Sequence, residues 1–398
     1  MKNYRLHTSE GFKDIYGKEL LIKKEIEKRA LHSFQSFGFD LIKTPTVEYI
    51  DVYSNHGMQK PDLYSLINRQ GEVLALCNDM TASIARFVCS NNFNTKNELK
   101  FCYSADTFRY PRLYQGKNHQ FLQAGVELIG AKGPKIDAEV IYLASAVLKK
   151  CNVSDFTIHI GSSEFIEALL VDFNVPSIAI DAIHLCIENK DYVTLKQNLY
   201  NNISKENADF IIDLMLKGGR LHYLEALMEK LKNTKSYSVL CSLKETYLLL
   251  NNLGVFNILF DFSIYSYAEY YTGIEFSIYV DGISCAVIEG GRCDNLFKSF
   301  GCDLPNIGFG LNIDSLTDYT LIYDTILINE KKYLSICDDA SFEYAFKMNN
   351  ELRENNVIVN HISISSLEEA IKYAKENKYN AVIEYKNNEK KIWEVPLC

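Results

Sequence analysis

The chain has 398 residues, 47% of them hydrophobic, with 42 Lys and Arg against 51 Asp and Glu and a formal charge of −9. That length buries a full core and implies two or three domains, while the acidic balance argues against broad nucleic-acid binding, which needs a clustered positive surface. With no run of about eighteen apolar residues, no membrane-spanning helix is expected.

The start, Met1-Lys2-Asn3-Tyr4-Arg5, leads into polar sequence with no apolar stretch behind it, so no secretory signal is read there. The 11 cysteines form no Cys-x-x-Cys pair and no His/Cys grouping at zinc spacing, as expected of reduced thiols in a cytosolic protein without a metal. Cys285, Cys293 and Cys302 are irregularly spaced and read as small packing residues.

In chain order, residues 14–37 carry apolar positions at helical spacing, with Asp14 placed to cap them and Gly38 to end them. Short strands are expected at Thr44–Glu48 and Val73–Leu76, then a helix from Asp79 to Val88. Two strands follow, Lys100–Tyr110 and His119–Ile129, joined through Gly116, and then a helix over 136–150 and a strand at Thr157–Ile160. From about Ser163 to Leu253 the pattern turns to Leu, Ile and Lys at helical spacing, which predicts an all-helical insertion. Strands resume at Ile258–Ser263 and from Ile274 to Ile288, the latter broken into a hairpin by Asp281-Gly282. Gly308–Leu316 is expected to be helical. After Tyr323, alternating strands (326–336, 357–362, 380–385) and helices (341–354, 366–376) predict a small unit with a partly parallel sheet. The fold class is α+β: an antiparallel sheet flanked by helices over 1–162 and 255–322, a helical insertion at 163–254, and a C-terminal α/β domain at 323–398.

Four segments carry polar chemistry. In Gln120–Gly130, strand alternation puts Phe121, Gln123, Gly125 and Glu127 on one side, where an amide and a carboxylate could grip an ammonium or an imidazole N–H; a solvent-facing polar stripe is the plainer alternative. Asp79-Met80-Thr81 opens a helix, where a carboxylate and a hydroxyl ordinarily serve as caps. Tyr270-Tyr271-Thr272-Gly273 could be aromatic packing on a sheet or the wall of a pocket. The glycines of Gly290-Gly291-Arg292 and Gly308-Phe309-Gly310-Leu311 allow a close approach, read here as tight helix–strand packing.

Together, and in their chain order, these segments resemble the class II histidyl-tRNA synthetases and their catalytically silent paralogues, the regulatory subunits of the short-form ATP phosphoribosyltransferases. The resemblance implies a class II fold that pairs through the region of Thr44–Glu48, and a histidine site made by Asp79, Thr81, Arg109, Gln123, Glu127, Tyr270 and Tyr271. Arg109 would hold the carboxylate and Asp79 and Thr81 the α-amino group, while Gln123 and Glu127 would contact the histidine, the acidic groups holding its ammonium and imidazole.

The departures from the synthetase pattern concern charge. Ser266-Tyr267-Ala268-Glu269 stands where synthetases read Arg-Gly-Leu-Asp, and Asp314-Ser315-Leu316 where they read Glu-Arg-Leu. Pro111 replaces an acidic residue, and Cys77-Asn78 replaces Arg-Pro. A serine offers neither charge nor a fork of donors, and each lost cationic donor costs about 10²–10³ in rate. The expectation is a pocket that holds an amino acid without activating it, hence no catalytic residue and no cofactor. Residues 325–398 carry ten Lys/Arg against twelve Asp/Glu, which does not favour RNA. The paralogue resemblance implies a separate short catalytic subunit as partner, a homodimer within a hetero-octamer, histidine as effector, and no nucleic acid or membrane. The alternatives are a divergent histidyl-tRNA synthetase and a stand-alone amino-acid sensor.

Overall fold

The computed structural model describes residues 4–54, 63–91, 93, 97–110, 118–265, 271–326, 331–364 and 366–396. The chain forms two compact units, Met1–Ile326 and Leu327–Cys398.

The first unit begins with α1 (Gly17–Ser36), which buries Ile22, Ile26, Ala30 and Phe34 at helical spacing. Its N-cap is Tyr16 with no side-chain cap bond, so Asp14 does not cap it: the helix starts three residues later than its apolar spacing implies. Next come β1 (Asp40–Leu41), β2 (Val47–Tyr49), α2 (Asp51–Ser54), β3 (Ser65–Ile67), β4 (Val73–Leu76) and α3 (Met80–Ser90). The strands β5 (Leu99–Phe108) and β6 (Gln120–Ile129) precede α4 (Pro134–Lys150) and β7 (Phe156–Ser162).

Six helices follow: α5 (Ser163–Asp172), α6 (Ser177–Glu188), α7 (Tyr192–Asn202), α8 (Lys205–Leu216), α9 (Leu221–Lys230) and α10 (Lys235–Asn252). Between α8 and α9 lies β8 (Gly218–Gly219), so the stretch is not wholly helical. The unit closes with β9 (Ile258–Asp261), β10 (Ile274–Val280), β11 (Ile288–Arg292), α11 (Asp294–Ser299), β12 (Asn306–Asn312) and α12 (Ile313–Tyr323).

Nine strands form one sheet in the order β1-β5-β6-β12-β11-β10-β7-β9-β8, antiparallel except for β1/β5 and β7/β9. A small antiparallel sheet, β2-β4-β3, stands apart from it. Helix α1 packs on α4, α12, β5 and β6.

Gly308-Phe309-Gly310-Leu311 is strand, not helix. Ile307, Phe309 and Leu311 are all buried, and the Phe309 ring lies 5.7 Å from that of Phe34 on α1. The period is two, and it turns Gly308 and Gly310 to the opposite face of the sheet.

The second unit comprises β13 (Lys332–Cys337), α13 (Phe342–Glu354), β14 (Ile358–His361), α14 (Leu367–Glu376), β15 (Ala381–Lys386) and β16 (Glu389–Glu394). Its sheet order is β14-β13-β15-β16, with β13 parallel to both neighbours. Strand β16, absent from the sequence expectations, is an antiparallel edge reached through Asn387-Asn388, both at positive φ (53° and 58°), the backbone that a tight hairpin turn demands. The turn is anchored because Asn387 N–H donates to Asp338 Oδ2 (3.1 Å) and Asn388 N–H to Ser341 Oγ (2.9 Å).

Candidate functional site

The open face of the long sheet carries a cavity of about 450 Å³. Asp79, Thr81, Arg109, Gln123, Glu127 and Tyr271 all line it; Tyr270 lies outside the described residues, as do Ser266, Pro111 and Gly116.

The floor is built by register. On β6, Gln123 and Glu127 point to the cavity face, and β12 lays glycines beside them: Gly308 pairs directly with Glu127, and Gly310 pairs with Gly125. A Cβ on Gly308 would overlap the Glu127 carboxylate, and one on Gly310 would overlap the Gln123 amide. The glycines therefore make room for these two side chains within the sheet, rather than for packing between helix and strand. Gly291 of β11 does the same for the Tyr271 ring.

The polar groups hold one another in place. Tyr103 O–H donates to Gln123 Oε1 (3.0 Å), which leaves the amide nitrogen over Gly310. Glu127 accepts from Thr81 Oγ1 (2.6 Å) and from Asn306 Nδ2 (2.7 Å), so α3, β6 and β12 meet at one carboxylate. Asp79 caps α3, accepting from Thr81 N–H at 3.0 Å. Arg109, just past the end of β5, lies over the Phe121 ring at 5.2 Å, and its Nε donates to Asn78 O (3.5 Å).

Burial pushes the Glu127 carboxyl up to about 8, against the opposing bonds from Thr81 and Asn306 and with help from the Asp79 charge. Burial also raises the Tyr103 and Tyr271 phenols and the Cys293 thiol, so all three stay neutral.

The structure adds residues that sequence reasoning missed. Glu275, 2% exposed, and Cys293 line the cavity, and Glu188 reaches it from α6. A glutamate inside the apolar strand Ile274-Glu275-Phe276 was a legible signal for the first; nothing in sequence marks Glu188 or Asn306.

A second cavity of about 1040 Å³ adjoins the first and shares Arg109, Gln123, Glu289 and Gly310 with it. Asp314, Ser315 and Asp318 line it. Asp314 is bound to Lys23 Nζ at 2.7 Å and accepts from Leu122 N–H at 2.6 Å. Ser315 N–H donates to Asn312 Oδ1 (3.0 Å), and its hydroxyl lies 3.7 Å from Cys285 Sγ. Among the described lining residues of the two cavities Arg109 is the one cation, facing Asp79, Glu127, Glu188, Glu275, Glu289, Asp314 and Asp318. Arg292, beside the glycines of β11, is engaged by Asp137 and Asp294.

The family described as Histidyl-tRNA synthetase matches residues 11–316. An ATP phosphoribosyltransferase regulatory subunit from Clostridium novyi (strain NT) is 30% identical over 398 residues, covering 98% of this chain and 94% of the relative. This chain belongs to the ATP phosphoribosyltransferase regulatory subunit family. Another member of the family, from Caldanaerobacter subterraneus subsp. tengcongensis, is 34% identical over 312 residues, 78% of this chain and 81% of that one. The solved ATP phosphoribosyltransferase regulatory subunit/histidyl-tRNA synthetase from Bacillus halodurans matches with a TM-score of 0.84 at 26% identity, covering 97% of this chain and all of its own. A histidyl-tRNA synthetase from Nostoc sp. PCC 7120 shares the fold, with a TM-score of 0.81 at 20% identity, covering 98% of this chain and 94% of its own. The class II architecture expected from sequence is thus the architecture observed.

Proposed function

We propose that this chain is a non-catalytic regulatory subunit of ATP phosphoribosyltransferase, the entry step of histidine biosynthesis, and that its smaller cavity holds histidine. The observation that carries the reading is charge. Deep carboxylates suit an ammonium and an imidazole, and Arg109 suits one carboxylate. The adjoining space, where an adenylating enzyme must meet a triphosphate, offers acids in place of further cations. Adenylation requires preorganised positive charge at the α-phosphate, and each missing donor costs about 10²–10³ in rate.

In this reading, Asp79 and Thr81 take the α-amino group, Arg109 the carboxylate, and Gln123, Glu127, Tyr270 and Tyr271 the imidazole. A homodimer of the chain joins short catalytic subunits in a cytosolic hetero-octamer, raises their activity, and passes histidine's inhibition to them. Allostery of this kind requires that histidine bind two states of the assembly with different affinity.

The test is phosphoribosyl-ATP formation by a short catalytic subunit with and without this chain. A large rise on addition, suppressed by histidine, supports the reading; no rise and no co-elution overturns it. The double name of the Bacillus halodurans relative favours a second reading, a divergent histidyl-tRNA synthetase. Histidine-dependent ATP–pyrophosphate exchange would reveal it.

A further inference from the structure

Helix α6 meets the amino-acid cavity at its C-terminal end. Its last residue, Glu188, lines the cavity, and among the described lining residues it is the one contributed by the helices α5–α10. One turn earlier, the buried His184 lies with Nε2 2.8 Å from Glu167 Oε1 of α5. The same Glu167 oxygen accepts from the Tyr265 hydroxyl at 2.9 Å, and the His184 and Tyr265 rings lie 5.6 Å apart. Ile264, next to Tyr265 in the chain, also lines the cavity. The helix is therefore joined to the pocket wall directly by a carboxylate and indirectly through the contacts of His184 and Tyr265 with Glu167.

Glu188 differs in kind from the buried acids around the ligand space, and shares its exposure with Glu289 on β11. Asp79, Glu127 and Glu275 are buried, and bonds from Thr81 fix the first two, with Asn306 also holding Glu127. Glu188 is exposed. A solvated carboxylate on a long side chain gains a partner when a cation arrives, whereas a buried and fully bonded one has little left to reorganise. The rest of α6 is held by Ala179, Ile183, His184, Cys186 and Ile187 on its inner face. A pull on its C-terminal residue is therefore transmitted along a packed, rigid element.

We infer that Glu188 is a ligand-contacting residue of the amino-acid cavity, through which a bound cationic group fixes α6 and makes the helical segment 177–188 respond to occupancy. The inference rests on the reading of the cavity as an amino-acid site. It assigns the segment 163–254 a role in reporting the ligand, beyond covering the sheet. The ligand class follows from the acids: an amino acid that carries a second cationic or hydrogen-bond-donating group, with histidine as the probe.

The test uses the full chain. Amide hydrogen exchange over residues 177–188 is measured with and without histidine, alongside calorimetric titration, for the wild type and for Glu188→Gln. Expected are slower exchange in α6 on histidine binding to the wild type, and binding by Glu188→Gln that is about two- to fivefold weaker, the range of an exposed charge pair. The α6 protection should be lost in the variant. Histidine binding to the wild type with unchanged α6 exchange would overturn the inference and leave the amino-acid reading standing, as would a variant that keeps both affinity and protection. Absence of any histidine binding to the wild type would remove the amino-acid reading, and the inference with it.

Discussion

Glu127 concentrates the electrostatics of the site in one side chain. Its carboxyl rises from an ordinary value of 4.5 to about 8, chiefly through burial. Between those values the folded chain holds a proton that the unfolded chain has released, so this group's effect on stability grows less favourable as pH rises through the window. Glu127→Gln should therefore flatten the pH dependence of the thermal midpoint between about pH 5 and 8, measured by calorimetric scans across that range. A cation bound against Glu127 pulls its pKa down again, so ligand binding at neutral pH should release a proton. Titrations in buffers of different ionisation enthalpy measure that release, and the glutamine variant should not show it. Gly308 tests the floor from the other side. Gly308→Ala places a methyl against the Glu127 carboxylate and the Val126 carbonyl, both of which are held. It should cost about 1–3 kcal/mol in stability, as overpacking does, and abolish histidine binding; urea unfolding and titration read the two effects separately.

At the scale of elements, α12 shows how a residue in a synthetase-like motif becomes structural. Asp314 joins α12 to α1 through Lys23 and to β6 through the Leu122 amide, with Lys23 and Asp314 side chains only 11% and 10% exposed. Asp314→Ala strands the Lys23 charge and should cost about 3–5 kcal/mol. Ser315→Ala, one residue on, removes a hydroxyl whose neighbour is a cysteine sulfur 3.7 Å away, and should stay within about 0.5 kcal/mol. Urea midpoints of the two variants make the comparison. The elements also mark what sequence could carry. Strands with strong apolar alternation, such as β6 and β10, were legible because their pattern is internal to the segment. The edge strands β3, β8 and β16 were not, because an edge strand owes its existence to the neighbour it pairs with. Gly308–Leu311 was misread because a brief run of glycines and apolar residues fits a helix and a strand equally until a partner strand is in place. For the site, Asp79, Thr81, Gln123 and Glu127 were legible by residue type and order. Glu188 and Asn306 were not, since tertiary register alone brings them to the cavity.

The whole molecule divides into two units, and every described residue assigned to the cavities belongs to the first, Met1–Ile326. A chain ending at residue 326 should therefore bind histidine with unchanged affinity, which titration of the truncated protein checks directly. The C-terminal unit has a complete sheet and its own buried cluster around Leu334, Ile336, Ala370 and Val382. None of the described lining residues lies in it. The acids that crowd the second cavity also bear on the chain's history. An arginine placed at position 315 would set a guanidinium among Asp314, Asp318 and Glu289, where it would find carboxylates before it found a phosphate. A single such substitution would therefore confer little adenylating activity. Descent from an adenylating ancestor would run in one direction, as a ratchet whose teeth are carboxylates.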